Sequence, residues 1–331
     1  MSPQPIKIST AADVLDVLPA FLGFYPTESL CALALDDAPS GGQTVALTAR
    51  MDLPTTPETL AQVSANLTRL LERYPTCVLV AYSLDTQAAR ATMTHLLGIL
   101  DPTTVLTALI AGPQGWTHLD PHSPTVVQWT NPYTLGPAAA QAAAAGLHAH
   151  GTRDDLRDAI AAPDAASIHA FEQAYLAENL PTTPTAAQTN QMAEEVAEYV
   201  RGYLTHPATI TTSTITTGDA AYLSARVQHL HPRDTAWSLM DRATGRQHAA
   251  LWRGVAALTP DQAVALPVLA LLGMAGWISG EGVLATLAIE RAETIPEAAA
   301  YSMLGLLSHV IDQAVPPTAW DQMVTDLRRL L

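Results

Sequence analysis

Two hydrophobic periodicities alternate along residues 6–111 of the chain. Short runs of apolar and β-branched residues predict strands, and apolar residues three or four positions apart predict helices between them. Pro39 and the pair Gly41-Gly42 separate the first two strands, which indicates an antiparallel hairpin. The strand–helix–strand order that follows indicates parallel pairing, so this half is predicted to be an α/β domain with a mixed sheet. The predicted strands are 29–35, 44–52, 77–82 and 103–111. The first predicted helix starts after Ser9 or Thr10 and runs to Leu18, and Pro19 ends it or lies near its end. Two further helices are predicted at 57–73 and 85–97.

The composition of the chain shifts to helix-forming residues after residue 136. Before that point, the proline-rich residues 112–136 contain two strand candidates, 116–119 and 125–129, which are expected to form an edge ribbon. The sequence therefore predicts an α/β domain at residues 1–136 and an all-α domain at 137–331, with a linker at 181–189. The threonine-rich residues 207–218 fit a loop or an edge strand, and a loop is favoured. The predicted helices are 138–149, 153–161, 165–179, 189–205, 219–229, 234–240, 247–258, 261–278, 283–293, 298–314 and 319–330.

The charge of the chain limits its partners. With 16 basic and 31 acidic residues, the net charge is −15. Phosphate backbones and anionic lipids attract lysine and arginine, so nucleic acid is not an expected partner. Apolar residues make up 48% and charged residues 14%, against about a quarter charged in an average protein, which excludes a disordered chain. The longest uncharged stretch, 263–278, contains proline and glycine and is too short for a membrane span.

The cysteine content indicates a reducing compartment. Cys31 and Cys77 both lie in apolar runs and are too few for a disulfide framework. The first apolar segment contains Asp13 and Asp16, which a signal peptide would not. The predicted location is therefore the cytoplasm.

Standard catalytic signatures are missing from the sequence, including the nucleophile elbow, the P-loop and the paired C-x-x-C motif. Residues 280–285 (GEGVLA) match the glycine-rich fingerprint of dinucleotide-binding folds. That fingerprint binds a dinucleotide only where it connects a strand to a helix. The residues before it are predicted to be helical, so a turn between two helices is favoured. The sequence predicts no cofactor.

One window of the acidic chain is locally basic. Five arginines and two aspartates lie between residues 226 and 253, with Trp237, Trp252 and several histidines among them. Guanidinium groups can clamp a phosphate or a carboxylate, so this window is the best candidate for an anion site. The alternative, which is favoured, pairs the arginines with surrounding acidic residues and buries the tryptophans. The arginines are Arg226, Arg233, Arg242, Arg246 and Arg253.

The carboxyl edge of the predicted sheet is a second candidate site, since open α/β sheets bind ligands where strands end and helices begin. Tyr82, Ser83 and Asp85 follow one strand, and Arg50 and Asp52 lie on the second strand of the hairpin. In the alternative, which is again favoured, Asp85 caps a helix and Arg50 pairs with Asp52.

Two histidine pairs, His118 with His122 and His148 with His150, are the candidates for metal ligands. Neither pair has the spacing or the additional ligands of a recognisable site. The sequence therefore predicts no metal site.

Short motifs at both ends of the chain carry a family resemblance. Residues 22–30 (LGFYPTESL) and 50–54 (RMDLP), followed far along the chain by 277–292 (WISGEGVLATLAIERA) and 301–303 (YSM), are in the order of that family's motifs. The chain resembles the domain-of-unknown-function 4192 family of high-GC Gram-positive bacteria and their phages. Family members often carry a cysteine-rich stretch that residues 115–136 lack.

The resemblance implies no activity, and the shared motifs fit structural roles. Gly23 would permit a tight turn with Phe24 anchored beneath it, and Gly280 and Gly282 would let two helices cross closely. The motif residues expected to be structural are Gly23, Phe24, Pro26, Ser29, Trp277, Gly280 and Gly282.

These observations favour a non-enzymatic interaction or scaffold protein, phage-encoded or regulatory, that binds a protein partner or itself. The main alternative is an enzyme or sensor that binds a small anionic metabolite or nucleotide, at the sheet edge or in a crevice between the domains. Specific DNA binding is the weakest hypothesis, because the net charge of −15 opposes it.

Overall fold

The chain divides into two compact units, Met1–Arg153 and Asp154–Leu331. The computed structural model describes residues 6–38, 41–130, 136–144, 147, 149, 151–205 and 215–330, with the backbone alone for 124–130 and 330. The first unit is an α/β fold with a mixed sheet and the second consists of helices, which confirms the predicted fold class. The boundary predicted between residues 136 and 137 lies inside the first unit.

The first unit is built on a six-stranded sheet of order β2-β1-β3-β4-β5-β6. The predicted hairpin is present as the antiparallel pair β1 and β2, and β3 and β4 form the predicted parallel pair. β1 is buried from Ser29 to Leu35, because it lies inside the sheet between β2 and β3. The ribbon of β5 and β6 extends the sheet on the other side as antiparallel strands. The strands are β1 (Ser29–Asp37), β2 (Gln43–Asp52), β3 (Thr76–Tyr82), β4 (Val105–Gly112), β5 (Gly115–Asp120) and β6 (Ser123–Thr130).

The described part of the first unit contains the helices α1 (Ala11–Leu22), α2 (Pro57–Arg73), α3 (Thr86–Ile99) and α4 (Pro137–Ala144). α1 begins at a capping box between Thr10 and Asp13. It continues past Leu18, where the sequence predicted its end, because Pro19 lies in the last turn and removes few hydrogen bonds there. α4 packs against α1, which explains why the first unit extends past residue 136.

The second unit is formed by the helices from α6 onward, and α5 crosses the boundary between the units. α11 lies at its centre, since every residue from Ala265 to Ile278 is buried. Two short 3₁₀ helices, Pro296–Ala300 and Pro317–Ala319, precede the last two α-helices. The helices are α5 (Arg153–Asp158), α6 (Ala165–Ala177), α7 (Ala186–Leu204), α8 (Thr217–Arg226), α9 (Leu230–Ser238), α10 (Gly245–Leu258), α11 (Ala265–Ser279), α12 (Gly282–Glu293), α13 (Ser302–Asp312) and α14 (Trp320–Leu330).

Two segments of the second unit differ from the prediction or cannot be compared with it. The linker predicted at 181–189 is shorter, because Thr185 forms a capping box with Gln188 and starts α7 at Ala186. Most of the segment 207–218 lies outside the described residues, while Thr216 caps α8. In the described ranges, no helix combines the length and the apolar character needed to cross a membrane.

Candidate functional site

The candidate residues at the sheet edge lie together in the structure. In the sheet register, Ser29 at the start of β1 pairs with Asp52 on one side and with Tyr82 on the other. Ser83 and Asp85 continue from Tyr82 into the loop before α3. The edge is tightly packed, since a Cβ at Gly112 would lie 2.3 Å from Cγ2 of Thr86.

Glu28 lies in the middle of this group, and the sequence analysis missed it. Its φ angle of 42° is in the left-handed region that non-glycine residues avoid. The Ser83 hydroxyl donates to one carboxylate oxygen at 2.8 Å, and the Leu84 N–H donates to the other at 2.7 Å. A carboxylate of the chain itself therefore occupies the donors that an anionic ligand would use.

The N-terminus of α3 is occupied in the same way. Asp85 accepts hydrogen bonds from the N–H groups of Gln87 and Ala88, both at 3.0 Å. These are the free N–H groups at which helices bind phosphate. Asp85 is thus positioned as a helix cap.

Arg50 and Asp52 form an ion pair at the edge of the sheet. Arg50 Nη1 lies 2.6 Å from Oδ1 of Asp52, and 12% of the Arg50 side chain and 86% of the Asp52 side chain are exposed. Arg50 Nε also donates to the buried Ser29 hydroxyl at 2.9 Å. Burial raises the pKa of the neighbouring Cys31 thiol to about 12, although Arg50 opposes the shift. The thiol is therefore protonated at neutral pH and is a poor nucleophile.

Arg226 of the arginine window is buried within a network of the second unit. It donates from Nε to Glu195 and from Nη1 to Glu178, each at 2.7 Å. Its guanidinium carbon lies 3.4 Å from the ring centroid of Tyr222. Burial opposes the charged form, but the hydrogen bonds to the two glutamates outweigh it and raise the pKa of Arg226. The Arg226 guanidinium is thus held by two carboxylates of the chain itself.

Arg233 and Arg242 are paired with carboxylates as well. Arg233 donates to Asp234 at 2.6 Å and to the Tyr301 hydroxyl at 3.2 Å. Arg242 donates to both carboxylate oxygens of Asp321, which lowers the pKa of that carboxyl group. Each arginine is held by a separate carboxylate, so the structure does not gather them around one ligand.

The two tryptophans and the last two arginines of the window differ in their burial and contacts. Trp252 is fully buried, and Trp237 stacks on Trp320 with ring centroids 5.1 Å apart. Both tryptophans are thus engaged in the helical core. Arg246 also interacts within the chain, whereas Arg253 is half-buried and makes no ion pair with a described residue.

The glycines of the second family motif have other roles than predicted. Gly280 has a φ of 82° and ends α11, which confirms the turn between two helices. The sequence analysis expected Gly280 and Gly282 to permit the close crossing of the two helices. This expectation is wrong, because no neighbouring atom lies within 4 Å of a Cβ placed at either glycine. Gly276 permits the crossing, because its Cβ would lie 3.0 Å from the backbone nitrogen of Ala285 in α12.

The other motif residues also support the fold. Gly23 ends α1 with a φ of 84°, and Phe24, Pro26 and Ser29 are buried. Trp277 is buried, and its indole N–H donates to the carbonyl of Val315 at 2.9 Å.

Arg291, within the matched closing segment, is a buried structural residue that the sequence analysis quoted without a role. Its Nε donates to Asp261 at 2.7 Å. Its other nitrogens donate to the carbonyls of Ile160, Ala256 and Thr259. Arg291 therefore satisfies carbonyl groups at the end of α10 and after α5.

A groove of about 900 Å³ lies between α7 and α9. Glu194, Glu198 and Arg201 line it from α7, together with His231 of α9. Within the described ranges, Arg201 makes no ion pair. The groove has the size of a ligand site, and the sequence analysis missed it because its residues come from two separated helices.

The candidate metal ligands do not form a larger cluster. His118 lies within β5 and His122 in the turn between β5 and β6, whereas His148 and His150 lie outside the described residues. Among the described residues, no group of three or more histidine, cysteine, aspartate or glutamate side chains is arranged to hold a metal ion.

Comparison with known proteins identifies a family for the chain. The family model described as a domain of unknown function, number 4192, matches residues 12–318. No curated protein and no solved structure matches the chain.

Proposed function

The chain belongs to the domain-of-unknown-function 4192 family, and we propose from the site geometry that it is a non-enzymatic interaction or scaffold protein. The proposal rests on one observation: carboxylates of the chain itself occupy the groups that were candidates for binding an external anion. At the sheet edge, Glu28 and Asp85 occupy the donors that were candidates for an anion. In the arginine window, carboxylates of the chain bind Arg226, Arg233 and Arg242.

This pairing favours an interaction role over anion chemistry for an energetic reason. An external anion would have to displace a carboxylate that is already held at about 2.7 Å, and it would leave that carboxylate without its partner. A protein partner needs no such exchange, because it binds the outer surface.

The cytoplasm is the proposed location. The support is that Cys31 and Cys77 are both free and buried on neighbouring strands, with no disulfide between them. As the family resemblance implies, the proposal extends to a phage-encoded or regulatory protein.

Thermal unfolding of the full chain in the presence of anions tests the proposal. We expect phosphate, nucleotides and dicarboxylates to leave the melting temperature unchanged. A ligand present at about 100 times its dissociation constant would add about 2.7 kcal/mol and raise the melting temperature clearly. Such a shift would favour the sensor or enzyme hypothesis instead.

Native purification provides the complementary test. We expect the full chain to elute in a stoichiometric complex with a protein partner or with itself. A lone monomer in lysate and after purification, at every concentration tested, would contradict the proposal.

The groove between α7 and α9 supports a second candidate function, the binding of a small anionic metabolite or nucleotide. Arg201 is its exposed cation and makes no ion pair with a described residue, while Glu194 and Glu198 line the same groove, so the anionic ligand would also have to carry a cationic group. If this function is correct, Arg201→Gln abolishes a ligand-induced thermal shift. The matched variant Arg69→Gln, on the exposed face of α2, leaves that shift intact.

A further inference from the structure

We infer that the groove between α7 and α9 is a docking site for a basic segment of a partner protein, whose lysine or arginine side chains pair with Glu194 and Glu198. The inference rests on the proposed interaction function, and it assigns the groove to that function instead of to a small anionic ligand.

The groove follows one face of α7. Its lining residues on this helix recur three or four positions apart from Asn190 to Thr205, so they lie on the same side of the helix. At about 1.5 Å per residue, this face is about 22 Å long, which is the length of about seven residues of an extended peptide. His231 and Thr235 of α9 line the opposite side, and the two helices pack against each other. The docking surface is therefore built on helices and not on loops.

Two carboxylates of the groove have no counter-ion within the described ranges. Glu194 and Glu198 are exposed and lie one helical turn apart, and neither makes an ion pair with a described residue. Glu195, in contrast, accepts a hydrogen bond from Arg226 at 2.7 Å. Arg233 and Arg242 of the same unit are paired with other carboxylates. The two groove carboxylates are therefore available to cations from outside the chain.

The charge of the whole molecule favours a cationic partner over an anionic one. A net charge of −15 attracts basic segments and repels anions over most of the surface. In the groove, Arg201 opposes this attraction, but it lies about two turns beyond Glu194. An acidic residue at one end of the bound segment would pair with Arg201 and set the direction of the segment.

The geometry of the groove fits a segment of protein chain. Glu194 and Glu198 are about 6 Å apart along the helix axis. In an extended segment, residues i and i+2 point to the same side about 6.7 Å apart, so two basic residues separated by one residue reach both carboxylates. Between the glutamates lies Ala197, which is small and 4% exposed and leaves room for the backbone of the segment.

The openness of the groove to solvent argues against a small ligand. Sites for small molecules bury most of the ligand surface, whereas Glu194, Glu198 and Arg201 are all exposed. A chain segment along the whole groove buries more surface than a polyamine or another small cation. A protein segment is therefore the favoured occupant.

Binding of a fluorescent heptapeptide of alternating lysine and alanine to the full chain tests the inference. We expect saturable binding in fluorescence anisotropy. The double variant Glu194→Gln/Glu198→Gln should raise the dissociation constant about five- to tenfold, because it removes two ion pairs at a solvated surface. Glutamine is a good helix former, so α7 should persist, and circular dichroism checks this. Absence of saturable binding to the wild-type chain would overturn the docking site.

The matched control is Glu293→Gln/Glu297→Gln. It removes two exposed carboxylates at the same sequence spacing but outside the groove. We expect the dissociation constant to change less than about twofold, because only distant, screened charges are lost. Equal weakening in both double variants would show that the net charge alone attracts the peptide, and docking in the groove would be wrong.

Arg201 separates the basic segment from a small anionic ligand in the same groove. Arg201→Gln removes a positive charge, so we expect it to leave the binding of the lysine peptide unchanged or to strengthen it. Weaker peptide binding in Arg201→Gln would contradict the inference. Spermidine that displaced the peptide with an equal dissociation constant would assign the groove to small cations and overturn the docking of a protein segment.

Native purification of the variants separates this inference from the proposed function. We expect the partner of the wild-type chain to be lost from Glu194→Gln/Glu198→Gln and retained by Glu293→Gln/Glu297→Gln. If the partner is retained by both double variants, docking in the groove is wrong and the interaction function stands. If the wild-type chain forms no complex, the interaction function is wrong and the docking inference fails with it.

Discussion

The backbone conformation of Glu28 is unfavourable, whereas the hydrogen bonds of its side chain are favourable. Its φ of 42° costs free energy, while its carboxylate accepts hydrogen bonds from Ser83 and Leu84. We expect Glu28→Ala to lower the free energy of unfolding by about 1–2 kcal/mol, because both hydrogen bonds are lost. Glu28→Gly should be about 1 kcal/mol more stable than Glu28→Ala, because glycine tolerates this φ. Urea unfolding measures both values, and equal stability of the two variants would contradict the role assigned to the backbone.

His248 makes the stability of the second unit depend on pH. It is fully buried in α10, and neither ring nitrogen has a hydrogen bond of good geometry. Burial lowers its pKa from 6.5 to about 4, although Asp241 and the Leu239 carbonyl oppose the shift. The unfolded chain therefore binds the proton more tightly than the folded one. Stability is fully present above pH 6.5 and falls as the pH drops towards 4, by about 3 kcal/mol from this residue.

Urea unfolding between pH 7 and pH 4, followed by tryptophan fluorescence, measures this dependence. The slope of the unfolding free energy against pH should decrease in His248→Leu by the contribution of one proton, since leucine does not titrate. His95→Gln, on the exposed side of α3, should leave the slope unchanged. An unchanged slope in His248→Leu would show that the pH dependence has another origin.

At the scale of single residues, the sequence identified the charged candidates but not their partners. Arg226 and Asp85 were recognised from residue type and position, and the helix cap follows from local sequence alone. The partners Glu178, Glu195 and Asp321 are distant in the sequence, so only the packing of the helices shows that the arginines are neutralised.

At the scale of helices, the crossing of α11 and α12 depends on one glycine. A Cβ at Gly276 would meet the backbone of Ala285 at 3.0 Å and that of Glu281 at 3.2 Å, and backbone atoms cannot easily move. We expect Gly276→Ala to destabilise the protein by about 1–3 kcal/mol. Gly282→Ala has free space and should be neutral or stabilise by up to about 1 kcal/mol. Thermal unfolding distinguishes the two variants, and equal effects would contradict this account of the crossing.

Arg291 links the ends of two helices. Arg291→Met keeps much of the volume but removes the donors for Asp261 and for three carbonyl groups. We expect a loss of about 1–3 kcal/mol, because buried carbonyl groups lose their donor, whereas Asp261 is 39% exposed and can be solvated. Arg329→Met is the control, because the Arg329 side chain is 72% exposed and its ion pair should contribute less than about 1 kcal/mol. A small effect of Arg291→Met in urea unfolding would argue against this role.

Most helices and strands were predictable because their signals are local. The hairpin, the parallel pair β3 and β4 and the helix-rich second half all follow from periodicity and from glycine and proline positions. The glycine roles in the second motif were not predictable in the same way. Gly280 and Gly276 are close in the sequence, and only the contact between α11 and α12 shows at which of them a Cβ atom would clash with the neighbouring helix.

At the scale of the whole molecule, the net charge of −15 should govern self-association. Repulsion between two copies extends over about 30 Å at 0.01 M salt but only about 8 Å at 0.15 M. We therefore expect the dimer dissociation constant to fall as salt rises from 0.01 M to 0.15 M, as measured by analytical ultracentrifugation. Tighter association at low salt would contradict this expectation, because it would show that long-range charge attraction holds the copies together.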